Sequence, residues 1–241
     1  MTIRVAMWSG PRNISTAMMR SWENRPDTVV LDEPFYAAYL ARTGLDHPGR
    51  EEVLAAQPQD PSRVVADLLA DDRAPVQYSK QMTHHLDMSA DRGWLGELRN
   101  VLLIRDPREV VASYVKSRES CEPDDIGILQ QVTLLGELTG ADGQDRVPVI
   151  DAADFLGDPG GYLFWLCDWL GIDFTDAMLE WPAGPRESDG VWAPYWYDAV
   201  LASTRFAPYR PREVELDDHD AAVAEACRPA YETLAERALR L

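Results

Sequence analysis

Five short apolar stretches recur along this chain, Ile3–Trp8, Val29–Leu31, Val76–Tyr78, Val101–Ile104 and Val147–Ile150, with helix-like segments between them. That alternation constrains the fold more than any other feature. Strands that scarcely alternate between apolar and polar residues are buried on both faces, and parallel strands need helical crossovers. The pattern predicts a three-layer α/β architecture, a central parallel sheet of about five strands flanked by helices. Helices are expected over Ser15–Glu23, Phe35–Arg42, Arg63–Ala70, Arg108–Arg118 and Ile126–Leu138. After Ile150 the pattern turns helical, with Gly160–Leu170, a piece near Ala177–Trp181 and Ala221–Leu241. An aromatic-rich loop, Gly190–Tyr209, precedes the last of these.

No Gly/Ser-rich or charge-block linker divides the 241 residues, so one domain spanning 1–241 is expected. No apolar run reaches the length of a membrane span, and the chain starts on a strand without a leader-like apolar stretch. A cytoplasmic protein away from membranes is the expectation, with Cys121, Cys167 and Cys227 as reduced thiols. The net charge of -18 argues against nucleic acid and long polyanions as partners. A small anion in a locally basic pocket stays compatible with it, and a homodimer is left open.

The first strand runs into Gly10-Pro11-Arg12-Asn13 and then a helix. A helix start presents unpaired N–H groups and partial positive charge, which suits a phosphate. The Walker pattern needs a second Gly and a Lys before the hydroxyl residue, whereas here Ile14 precedes Ser15-Thr16. Arg12, the amides of Asn13–Thr16 and the two hydroxyls can bind an anion; an ordinary capped helix start is the competing reading. In "IRDPREVVASYV", Asp106 can cap a helix, Pro107 suits its first position and Glu109 would complete a capping box. Arg105 then lies just past a strand end, where open α/β sheets bind ligands, with Ser113 eight positions on.

Two further clusters carry proton chemistry. "YSKQMTHHLD" places Lys80, His84 and His85 near the same sheet edge, and a near-neutral His can accept a proton from a hydroxyl. Two adjacent histidines without a third ligand at a telling spacing do not make a metal site, so none is expected. Glu33 in "LDEPFY" can be a general base or a helix cap. "GVWAPYWYDAV", with Trp192, Tyr195, Trp196 and Tyr197, can close over a ligand or pack as a satellite core.

Together these pieces resemble the sulfotransferases that use 3′-phosphoadenosine 5′-phosphosulfate (PAPS) and release adenosine 3′,5′-bisphosphate (PAP). The family's first motif, roughly P-K-S-G-T-T, holds the 5′-phosphosulfate, and the matching run is Pro11-Arg12-Asn13-Ile14-Ser15-Thr16, just after Gly10. Its second motif, an Arg at a strand end with a Ser eight positions later, holds the 3′-phosphate and is matched by Arg105 and Ser113. Cytosolic members take their base from a K-T-H run, to which "KQMTHHL" is similar with an insertion. A bacterial group has a Glu in an E-P-F-like run, as Glu33-Pro34-Phe35 is here. The C-terminal third matches only through a Gly before an aromatic loop, around Gly190–Trp192.

The resemblance implies a P-loop nucleotide-binding fold with a helical C-terminal third, PAPS as donor without a metal ion, and a small-molecule acceptor. It implies a catalytic set of Arg12, Glu33, Lys80, His84 and His85, the base being one of the last two or Glu33. Gly10 to Thr16, Arg105, Ser113 and Trp192 would hold the nucleotide. Three positions depart from the family. Arg12 stands for a Lys and can hardly surrender a proton, so Lys80 is an alternative donor. Ile14 stands for a Gly, and Ala17 for an adenine-contacting Trp. A non-catalytic nucleotide-binding protein is the competing class; a kinase lacks its Walker Lys and an obvious metal-binding Asp.

Overall fold

The computed structural model describes residues 2–116, 120–139, 147–211 and 214–241. Five strands form one sheet: β1 (Ile3–Ser9), β2 (Thr28–Asp32), β3 (Val76–Met82), β4 (Arg99–Ile104) and β5 (Val149–Asp151). Their order is β2-β3-β1-β4-β5, and every pairing is parallel. Successive residues of β1 feed opposite faces. Ala6 and Trp8 pack beneath helices α4 (Pro61–Ala70), α5 (Pro107–Tyr114), α6 (Ile128–Leu138) and α11 (Asp218–Ala235). Val5 and Met7 meet α1 (Ser15–Glu23) and α8 (Pro159–Leu170) on the other side. This is the expected three-layer arrangement, and a sheet buried on both faces explains why its strands do not alternate. The remaining helices are α2 (Tyr36–Thr43), α3 (Arg50–Ala56), α7 (Ala152–Gly157), α9 (Ala193–Trp196) and α10 (Asp198–Leu201).

Several boundaries differ from the sequence reading. β3 runs four residues past Tyr78, because a central strand can bury polar residues once they are bonded: Ser79 Oγ donates to the Val5 carbonyl and Gln77 to that of Leu68. β5 starts at Val149, since Pro148 has no N–H for the ladder. The helix expected from Ile126 begins at Ile128, after Gly127 takes a left-handed φ of 75°. The piece near Ala177–Trp181 is one 3-10 turn, Asp176–Met178. Asp217 caps α11 earlier than expected, at 2.8 Å from the Asp220 amide. The chain end then leaves the helix, and Leu239 donates to the Val149 carbonyl of β5. Helices α3 and α7 lie outside the sequence reading, and the expected loop Gly190–Tyr209 holds the short helices α9 and α10. Arg118, the expected end of α5, lies outside the described residues.

Among the described residues no helix is long and apolar enough to cross a membrane. The three cysteines are buried and unbridged, and burial pushes the Cys121 thiol up to about 12.

Candidate active site

Along the C-terminal edge of the sheet, the strand order sets a sequence of chemical groups. Asp32 ends β2 and Glu33 follows it, Lys80 lies on β3 with His84 and His85 beyond it, the loop 10–14 follows β1, and Arg105 follows β4. Neighbouring strands are about 4.8 Å apart, so the loop sits between a side carrying Glu33, Lys80 and the histidines and a second side carrying Arg105. One cavity of about 400 Å³ opens over this edge, lined by Pro11 to Ala17, Glu33, Lys80, His84, His85, Arg105 and Ser113. That volume falls in the range of ligand sites.

The loop is shaped by close approach and by one strained residue. A Cβ on Gly10 would lie 2.1 Å from the Ile126 carbonyl oxygen, so only Gly fits where β1 ends against that turn. The left-handed conformation falls on Arg12, φ 54°, and not on Ile14, whose φ is -83°. The loop thus turns with its backbone strain at Arg12 and an ordinary conformation at Ile14. Asn13 holds the new course: its Nδ2 donates to the Leu103 carbonyl of β4, and its Oδ1 accepts from the Ile14 amide at 2.8 Å. Asn13 is therefore a loop anchor, and Ser15 and Thr16 form the first turn of α1 behind it.

Arg105 and Ser113 join this loop directly. Arg105 Nη1 donates to the Arg12 carbonyl at 2.8 Å, and Arg12 Nε donates to Ser113 Oγ at 3.0 Å. Both predicted phosphate motifs therefore belong to one constellation. Among the described residues no carboxylate lies in ion-pair range of Arg12. Burial, and then the charge of Arg105, push the Arg12 pKa down. Two guanidinium groups held together in a cavity gain most from an anion between them. Asp106 caps α5 and Pro107 is its first residue, as expected. Glu109 does not complete a capping box: its Oε2 accepts from Arg105 Nε and Nη2 at 2.9 and 2.8 Å, and its Oε1 from the Tyr209 hydroxyl. A nearby guanidinium outcompetes a backbone amide for a carboxylate.

On the base side the charges are buried. Lys80, 1% exposed, donates to Asp32 Oδ1 at 3.0 Å, Glu33 Oε1 at 2.5 Å and the Tyr197 hydroxyl at 2.5 Å. Burial alone would lower Lys80, but Asp32 and Glu33 beside it hold it well above its ordinary value. Burial raises the Glu33 carboxyl, opposed by Lys80 and reinforced by Asp32. Its Oε2 faces His85 Nδ1 at 3.9 Å. His85 stacks between Tyr36 and Tyr39, each ring centroid 4.7 Å away, and burial together with neighbouring cations keeps it neutral. His84 packs edge-on against His85 and lines the cavity at the loop side. Glu33, at φ 40°, is the other strained non-Gly residue.

The third wall comes from the C-terminal segment, with Trp196, Tyr197, Val200, Ser203, Arg205 and Phe206 in the cavity lining. Trp192 is not part of that lining. It is 1% exposed, packs edge-on to Tyr36 and donates to the Tyr197 hydroxyl, inside a satellite core with Leu40 and Val53. Its assignment as a nucleotide contact is therefore corrected: an indole this enclosed offers no face to a ligand. Gly10 also lies behind the loop and not on the cavity wall. Sequence reasoning missed Asp32, which stands next to Glu33, and Arg205 and Phe206, which carried no signal. Among the described residues no group of three or more His, Cys, Asp or Glu is placed to hold a metal ion.

A family model described as "Sulfotransferase domain" matches residues 3–238. Two Arabidopsis thaliana proteins, named branched-chain-amino-acid aminotransferase-like proteins 2 and 1, are 34% and 35% identical over 232 residues. The match covers 94% of this chain but 40% of each relative, so the chain spans well under half their length. Among solved structures, a sulfotransferase from Alicyclobacillus acidocaldarius is 13% identical with a TM-score of 0.56, covering 99% of this chain and 98% of that one. The sulfotransferase domain of the Synechococcus PCC 7002 olefin synthase is 18% identical with a TM-score of 0.51, covering 93% and 94%. At these identities the likeness to solved structures is one of fold.

Proposed function

The chain belongs to the sulfotransferase family, and from that premise we propose that it moves a sulfuryl group from PAPS to a hydroxyl or amine of a small acceptor. The observation that carries this reading is the pairing, in one cavity, of an anion-seeking Arg12–Arg105–Ser113 constellation with a buried carboxylate whose proton affinity is raised. The loop amides, Arg12, Ser15 and Thr16 would hold the 5′-phosphosulfate, and Arg105 with Ser113 the 3′-phosphate. PAPS supplies the sulfuryl group and a phosphate leaving group.

Glu33 is the base in this reading. Its Oε1 is held by Lys80, which leaves Oε2 to take the proton from the acceptor. The acceptor's oxygen or nitrogen forms the new bond to sulfur. The bond from sulfur to the 5′-phosphate oxygen breaks, and its electron pair leaves on PAP. Arg12 and the amides at the start of α1 stabilise that developing charge, so positioning and electrostatics do the catalytic work. Lys80 cannot give up a proton readily while two carboxylates hold it, so the role of acid considered for it passes to Arg12 as a hydrogen-bond donor. His85 is neutral and stacked; it orients Glu33 or the acceptor and does not replace the base.

The names of the curated relatives raise aminotransferase chemistry. A Schiff-base aminotransferase needs a lysine amine that is neutral in a site. This chain has two lysines: Lys80 is held as an ammonium, and Lys116 is exposed beyond α5. Neither is placed for that role.

Calorimetric titration with PAP, and with ATP·Mg²⁺ for comparison, tests the nucleotide site. Selective PAP binding is expected, followed by PAP release from PAPS in the presence of a suitable acceptor. Preference for ATP·Mg²⁺, or no PAP binding by folded protein, would overturn the reading.

A further inference from the structure

The buried cluster below the base holds more than a catalytic base requires. Two carboxylates, Asp32 and Glu33, share one ammonium, so the set carries an excess negative charge at largely buried positions. A charge of that kind persists only where neutral donors replace its hydration. The two carboxylates are treated unequally. Asp32 accepts from the Tyr197 hydroxyl, with its two oxygens at 2.9 and 2.7 Å, and from the Gly190 amide at 3.0 Å, besides Lys80. Glu33 has Lys80 as its close donor, with His85 Nδ1 at 3.9 Å. Asp32 is thus the more fully hydrogen-bonded carboxylate, and Glu33 is the one with an oxygen left for the acceptor.

Tyr197 makes this partition possible. A phenol has one hydrogen and two lone pairs. The hydrogen serves Asp32, and the oxygen accepts from Lys80 at 2.5 Å and from Trp192 Nε1 at 3.2 Å. With all its capacity used, the hydroxyl is not a donor to substrate although the ring lines the cavity. The residue comes from the segment that walls the cavity, and that segment is pinned to the core a second time. Arg20, 1% exposed, pairs with Asp189 at 2.6 Å, and Ser188 donates to Glu23 of α1.

We propose that Tyr197 is a positioning residue for the general base: with Asp32 it holds the Lys80 ammonium, and through that ammonium it sets the orientation and proton affinity of Glu33. This rests on the reading of Glu33 as the base. The groups facing Glu33 are Asp32 from β2, Lys80 from β3, His85 and His84 from the turn after it, Tyr36 from α2 and Tyr197 from the C-terminal wall. Without the hydroxyl, Asp32 loses a donor and draws Lys80 toward itself, which weakens the hold of Lys80 on Glu33.

The test is a carboxyl ¹³C NMR titration of glutamate- and aspartate-labelled protein, with the Glu33 signal identified by its loss in Glu33→Gln. Lys80→Met is expected to move the Glu33 midpoint up by about one unit or more, and Asp32→Asn to move it down, as removal of an opposite and of a like charge requires. Tyr197→Phe keeps the ring and its packing and is expected to move the midpoint up by a smaller, measurable amount. An unmoved Glu33 midpoint in folded Tyr197→Phe overturns the proposal. So does a shift of the same sign in Lys80→Met and Asp32→Asn. Where the two charge variants do not fold, Tyr197→Phe decides alone. The measurement needs no acceptor, so the two ideas fail separately. Sulfuryl transfer with an unmoved midpoint removes the role of Tyr197 only. A shifted midpoint in a protein that transfers no sulfuryl group removes the reaction only.

Discussion

The two ends of the cavity handle charge in opposite ways. At the loop, Arg12 is half-buried beside a second guanidinium, and only part of the positive charge is balanced, by Glu109 on Arg105. At the base, every charge is buried and bonded to its neighbours: Lys80 to two carboxylates, Asp32 to a phenol and an amide. An incomplete electrostatic set attracts a ligand from solution, whereas a completed set has no such appetite and instead tunes one of its own members. In the reading proposed above, the first serves binding and the second proton transfer. Opposite losses should therefore follow from damage at each end.

The largest effect is expected at the base. Glu33→Gln should cut sulfuryl transfer by about two to four powers of ten while leaving PAP affinity within about twofold, measured by turnover and calorimetry on one preparation. A parallel loss of PAP binding would dissolve the division between the ends. Because burial raises Glu33, the wild-type rate should fall on acidification at a pH above the ordinary glutamate range. The sign follows from the chemistry: protonated Glu33 accepts nothing, so activity is present above its midpoint and lost below it. A limb that persists in Glu33→Gln would assign the base to His84 instead.

Next in size is the loop end. Arg105→Ala removes a charged donor and frees the Arg12 carbonyl, and PAP affinity should fall by about 10- to 150-fold. The Glu33 titration should not move. The smallest expected effect is on stability. In Gly10→Ala a methyl group meets the Ile126 carbonyl, so the turn must shift, at a cost of about 1–3 kcal/mol seen in thermal or denaturant unfolding. PAP affinity should weaken with it, since the same turn aims the loop. A stability loss without any change in PAP binding would show that Gly10 serves packing alone.

Much of the molecule is legible in its sequence. The apolar strands, the junction at Gly10 to Thr16 and the capped turn at Asp106-Pro107 show in patterns of residues close in sequence, although the strands themselves pair across long separations, as Ile3 does with Val76. The spacing of Arg105 and Ser113 was legible for a local reason, since Arg105 lies just before the Asp106 cap and Ser113 on the helix that the cap starts. The capping box failed at Glu109 because its competing partner, Arg105, lies outside the helix, and Tyr209 is 100 residues away. Trp192 was misassigned because an aromatic residue in a loop reads the same whether it faces a ligand or a core.

The chain by itself therefore determined the strands, the position of the loop at Gly10 to Thr16 and the residues proposed as a base. The tertiary structure alone decided how those residues divide the work. Arg12 meets Ser113 across 101 residues, Lys80 meets Tyr197 across 117, and Tyr197 meets Asp32 across 165. Proton affinity depends on which charges and donors surround a group within a few ångströms, and on how much water is excluded there. Neither quantity is written in local sequence, and both arise only when the C-terminal segment closes over the strand ends.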